Sequence, residues 1–152
     1  MDARPSTSWD GGASSAVPGL SVNRGLLIGA LAFSSGVHLA LVPEHLVEMR
    51  LIGLSFIQAA VIAAAAAVVL ALWPASPWPP RAAALLFLGM GGAYALAVSV
   101  AVPGVAGTPE PIEWVALVTK AVELVGLGLA VSLRDVSRRA RGRCYQPLSG
   151  SA

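Results

Sequence analysis

Charge is what this sequence has little of. Only 12% of its 152 residues are Asp, Glu, Lys or Arg, about half of the roughly 25% usual in soluble proteins. A surface facing water needs those charges, whereas one facing lipid does not. The composition therefore excludes an ordinary soluble domain and points to an integral membrane protein. Cysteine is scarcer still: the one residue, Cys144, excludes an intrachain disulfide framework and a CxxC metal pair. It reads as a free thiol in a reducing compartment. Also missing are a Gly-rich phosphate loop, a Ser/His/Asp set and an HExxH pattern. Catalysis is therefore the minority reading for this chain.

Hydrophobic length is what is present. After an arm at 1–22, rich in Ser, Gly, Ala and Pro and read as disordered, come four apolar runs at about 24–42, 51–73, 81–101 and 112–133. Each is near the roughly 20 residues needed to cross about 30 Å of hydrocarbon. The first run is longer than the 7–15 residues of a signal-peptide core, so it reads as a retained helix. The breaks hold Pro43, then Pro74, Pro77, Pro79 and Pro80, then Pro103, Pro109 and Pro111. Proline ends helices, and Trp73 and Trp78 suit a membrane interface. Loops this short make neighbouring helices antiparallel. The expected fold is all-α: an up-down bundle of four transmembrane helices over 23–134, with a short basic tail at 135–152. A soluble bundle would need polar stripes at helical period. Residues 59–72 carry no polar side chain, which excludes it.

The basic residues set the orientation. Five of the ten lie in the tail region: Arg134, Arg138, Arg139, Arg141 and Arg143. The arm has Arg4 and Arg24 and the second loop Arg81, while the first loop has Arg50 alone and the third none. The positive-inside rule then places both termini in the cytoplasm, with loops one and three outside. A tail cluster directly after a membrane helix sets topology and meets anionic lipid head groups rather than nucleic acid. Gly25-x-x-x-Gly29, Gly89-Met-Gly91-Gly92 and Gly126-x-Gly128 permit close helix approach. Such patterns serve folding within one chain and self-association alike, so a homo-oligomer or a membrane-complex partner stays open.

The polar residues gather at the outer end. His38, Pro43-Glu44-His45 and Glu48 close the first run, and Glu110 and Glu113 belong to the third loop and the start of the fourth run. Ionisable groups inside a bilayer cost several kcal/mol unless paired or hydrated, and so suggest a site. By helical rise His38 lies about 7 Å below Pro43, Gln58, Tyr94 and Lys120 about 10–12 Å from the outer end, and Glu123 about 15 Å in. Each helix thus offers a polar side chain to the outer half. At 100° per residue, His38 and His45 differ by about 20° in phase.

These groups are read as an outward-opening polar pocket for a cation or small polar ligand. Its metal-ligand candidates are His38, His45, Glu44, Glu48, Glu113 and Glu123. Its polar lining is Gln58, Tyr94 and Lys120. Imidazole and carboxylate suit a divalent ion, and the same groups can pass protons. Haem is disfavoured, because both histidines sit on one helix or its end. The competing reading is structural. Lys120 and Glu123 are at i, i+3 and neutralise one another, making the chain an accessory membrane subunit with no ligand of its own.

The pattern Gly36-x-His38, Pro43-Glu44-His45, Glu48, Gly53, Phe56, Gln58, Gly107-x-Pro109-Glu110-Pro111 and Glu123 resembles small four-helix integral membrane proteins of unknown function common in actinobacteria. The resemblance covers roughly residues 25–133. It implies a four-helix fold in a bacterial plasma membrane and supplies no activity. Abundant Ala, Val, Gly and Arg with little Lys is similarly typical of a high-GC bacterial source. Lys120 departs from the pattern, since that position is usually apolar in such proteins.

Overall fold

The computed structural model describes residues 18–74, 76–100 and 112–143, with side chains at 22–47, 49–74, 76–100 and 112–134. Four helices make up nearly all of it: α1 Pro18–Glu48, α2 Arg50–Leu72, α3 Trp78–Ser99 and α4 Trp114–Arg143. No strand occurs among the described residues. Each helix contains a stretch long and apolar enough to cross a membrane: Val22–Val47, Arg50–Leu72, Trp78–Ser99 and Trp114–Arg134. The protein is a multi-pass membrane protein with an all-α, four-helix fold.

The helices exceed their apolar runs most at three places, each with a local cause. At its start, α1 opens at Pro18, a residue whose missing N–H costs nothing in a first turn. Its far end passes straight through Pro43 to Glu48, where a break was expected. Proline forfeits one backbone bond, and in a membrane helix that loss is tolerated. Finally, α4 runs on through the basic residues to Arg143, because arginine is a good helix former and cations favour a helix C-terminus.

The turns are short. Met49 alone, in extended conformation, separates α1 from α2. Its N–H bonds the His45 carbonyl at 2.9 Å, and its own carbonyl accepts from Gly53 at 3.1 Å. Gly53 is required by this corner. A Cβ there would lie 2.7 Å from both the backbone nitrogen and the side chain of Leu46. Between α2 and α3, Trp73 closes the first helix by bonding Val69 at 2.9 Å. Pro79 and Pro80 then sit in the first turn of α3. The α3–α4 connection at 101–111, with Glu110, lies outside the described residues. So do residues 1–17, Cys144 and the side chains of Glu48 and the arginines beyond Arg134.

Register follows from paired contacts. Arg24 donates to the Leu70 carbonyl, while further along α1 Ser35 donates to the Ala60 carbonyl at 2.9 Å. Position rises on α1 as it falls on α2, so the two are antiparallel. The Arg24 bond also satisfies one of the orphan carbonyls in the last turn of α2. The helices pack in a closed ring: α1 on α2, α2 on α3, α3 on α4 and α4 back on α1.

The apolar core lies at the end of the bundle away from the Met49 corner. It is built of Leu27, Ala30 and Leu31 on α1, Ala63, Ala67 and Leu70 on α2, Ala83, Ala84 and Phe87 on α3, and Ala130 and Leu133 on α4. More than half of these are alanine, which lets helices approach closely without a hydrophobic drive between them. Gly126 marks the tightest meeting. A Cβ on it would lie 2.5 Å from the Phe87 ring and 3.2 Å from the Ala30 Cβ. The exterior carries Leu26, Leu39, Leu54, Leu85, Leu88, Leu124 and Val125, all exposed, as a lipid-facing surface requires.

Candidate functional site

One turn beyond that core, towards the Met49 corner, the interior becomes polar. Glu123 of α4 is only 2% exposed. Its Oε1 accepts a 2.7 Å hydrogen bond from Ser34 Oγ of α1, and its Oε2 accepts one at 2.6 Å from Lys120 Nζ, one turn earlier on α4. Ser34 is itself fully buried. A buried carboxylate needs a counter-charge and donors for its lone pairs, and these two partners supply both.

The network extends on each side. On α1, His38 Nδ1 lies 2.8 Å from the Ser34 carbonyl. A carbonyl only accepts, so Nδ1 carries a proton and donates it to that oxygen. His45 repeats the arrangement one heptad on, with Nδ1 3.0 Å from the Leu41 carbonyl. Both rings pack on Phe56 of α2, at centroid distances of 5.1 and 4.5 Å. On the α3 side, Lys120 Nζ sits 5.5 Å from the centre of the Tyr94 ring, within cation–π range. The Tyr94 hydroxyl is buried and has no hydrogen-bond partner.

A cavity of about 300 Å³ adjoins this cluster between α3 and α4. Tyr94, Lys120 and Glu123 form its polar end, and Phe87, Leu88, Leu124 and Leu127 its walls. Gly91 and Gly92 line it as well, and a Cβ on either would meet nothing within 4 Å.

Of the residues singled out from sequence, the fold brings His38, Tyr94, Lys120 and Glu123 into one neighbourhood and seats His45 beside it through Phe56. Gln58 is exposed. Two residues after Phe56, it is turned about 200° from the face that meets α1. Glu44 is exposed near the end of α1, and Glu113 is exposed just before α4 begins, its carbonyl taking the 3.0 Å bond from Leu117. Among the described residues no three His, Cys, Asp or Glu side chains converge as a metal set would.

Ser34 is the residue the sequence reading passed over. Serine is common in membrane helices, but Ser34 and His38 stand four apart, on one face of a mostly apolar helix. That spacing was the available signal.

The chain was compared with protein-family models, with curated proteins and with solved structures, and none of them matches.

Proposed function

We propose that the protein is a plasma-membrane protein of bacterial type, with both termini cytoplasmic, whose outward half binds a small polar ligand at the Glu123 cluster. One observation carries this reading. A lysine with unspent N–H groups and a buried carboxylate line a cavity of about 300 Å³, and the Tyr94 side chain that lines it too buries a hydroxyl without a partner. A purely structural network would close on itself, because an unsatisfied buried hydroxyl costs about 1–3 kcal/mol. Here Ser34 and Glu123 are satisfied, whereas the Tyr94 hydroxyl, on a side chain that lines the cavity, is left without a partner.

A polar molecule is favoured over a metal ion. Glu123 is already neutralised by Lys120, and the other candidate carboxylates among the described side chains, Glu44 and Glu113, are exposed. The orientation rests on the distribution of arginine, and the same arginines, continued on the helical extension of α4, suit anionic lipid head groups. The likeness to small actinobacterial four-helix proteins belongs to this proposal and adds no activity to it.

The test is a thermal-unfolding screen of the full chain in lipid nanodiscs against small carboxylates, amines, amides, polyols and divalent cations. A solute that raises the midpoint of the wild type but not of Glu123→Gln supports the site. A screen in which Zn²⁺ or Mn²⁺ alone stabilises the protein, and a His38→Ala/His45→Ala variant loses the effect, replaces the polar ligand with a metal.

The second reading is an accessory subunit, favoured by the Ser34–Glu123 bond, which ties α1 to α4 across the closing seam of the ring. On that reading Glu123→Gln weakens the bundle and changes no solute response, and cross-linking in native membranes recovers a stable protein partner.

A further inference from the structure

Resting on the binding-site reading above, we infer that the ligand is a neutral, membrane-dissolved amphiphile whose oxygen-bearing head enters between α3 and α4 from the lipid side. The cavity's mouth sets the route. Leu88, Gly92 and Leu124 line it and are exposed on the flank of the bundle, whereas Phe87 and Glu123 at its floor are each 2% exposed. The opening therefore runs through the side wall. On a helix bundle with an apolar exterior, a side wall faces acyl chains rather than water. The opening exists because Gly91 and Gly92 put no side chains into it.

Donor arithmetic sets the head group. Lys120 uses one N–H on Glu123 and keeps two, while the Tyr94 hydroxyl has no partner. Both side chains line the cavity. The site has donors to spare, so the ligand brings acceptors. Charge narrows the choice. Lys120 and Glu123 cancel, so the site offers no net charge to offset the desolvation of an anionic or a cationic head. A carbonyl or hydroxyl head meets neither penalty and leaves the bilayer interior at little cost.

Size and wall chemistry agree. About 300 Å³ is the low end for ligand pockets, enough for a head and its first few carbons. Leu88, Leu124 and Leu127 would flank the start of the chain, and the remainder would stay in the bilayer. A site built to hydrogen-bond an oxygen discriminates strongly against an analogue without it, so the spare donors of Lys120 and Tyr94 are the selective element.

The test uses the full-length protein in phosphatidylcholine nanodiscs and a monoacylglycerol carrying a photoactivatable diazirine near its head. After irradiation, peptide mass spectrometry locates the adducts. The expected adducts fall at 87–92 and 124–127. Gly92→Leu fills the mouth and, with open space at its Cβ, keeps the fold; it is expected to cut labelling about tenfold, equivalent to about 1.4 kcal/mol of binding. Tyr94→Phe is expected to lower it severalfold, and excess unlabelled monoacylglycerol to compete. A fatty acid or an alkylammonium of the same length is expected not to compete. Labelling spread evenly over all four helices, or unchanged by Gly92→Leu, overturns the inference. If a water-soluble solute still stabilises wild type and not Glu123→Gln, the binding site stands and only the lipid route falls. If neither probe binds, both fall.

Discussion

Glu123 is the residue on which the cluster depends. Removing one member of a buried ion pair strands the other, at a cost of about 3–5 kcal/mol. Both Glu123→Gln and Lys120→Met are therefore expected to lower the unfolding free energy by that order in bilayer mimetics, whereas replacing both together is expected to cost less than the sum. Ser34→Ala removes a neutral donor, and hydrogen bonds between membrane helices average about 0.6 kcal/mol with a ceiling near 1.7. A loss of about 1 kcal/mol is expected, and a double-mutant cycle with Glu123→Gln is expected to show coupling. An additive cycle would mean that the 2.7 Å Ser34–Glu123 bond contributes nothing. The sequence made half of this legible. His38, Tyr94, Lys120 and Glu123 stood out because each is a polar group in an apolar run. Ser34 did not, since a serine hydroxyl can be satisfied by its own helix and only the facing helix reveals another use. Gln58 stood out equally and is exposed, because composition gives depth along a helix and not the direction a side chain takes around it.

At the scale of the helix, glycine carries the testable load. A Cβ at Gly53 would press on the Leu46 backbone, and one at Gly126 on the buried Phe87 ring, whereas one at Gly128 would meet nothing. Gly53→Ala and Gly126→Ala are each expected to destabilise by about 1–3 kcal/mol, the usual cost of overpacking. Gly128→Ala is expected to be neutral or to stabilise by up to about 1 kcal/mol, because it removes glycine's entropy cost from a helix interior. Denaturant titration of the three variants side by side checks the order. The four helices were legible from length and hydropathy alone, to within a few residues in the apolar parts. The reach of α1 past Pro43 and of α4 past Leu133 was not. Hydropathy reports where lipid begins and ends, and a helix can outlast the bilayer if its next residues are good helix formers.

The described bundle is polarised: an apolar, alanine-rich core at one end and a polar cluster with a cavity towards the other. Topology is its first global prediction. Cys144, the only cysteine, is expected to react with a membrane-impermeant maleimide only after cells are permeabilised. In a Cys144→Ser background, Glu44→Cys is expected to react in intact cells, and the reverse pattern would invert the proposed orientation. The claim that the polar cluster is a binding site, and not simply a fastening, is tested most directly by the global unfolding free energy of Tyr94→Phe. The substitution keeps the ring over Lys120 and removes only the unpaired hydroxyl. A group retained for binding at the expense of stability is removed at a gain, so the variant is expected to be more stable than wild type by about 1 kcal/mol, the low end of the cost of an unsatisfied buried hydroxyl. A variant less stable than wild type would show that the hydroxyl holds the fold together, and would contradict the account.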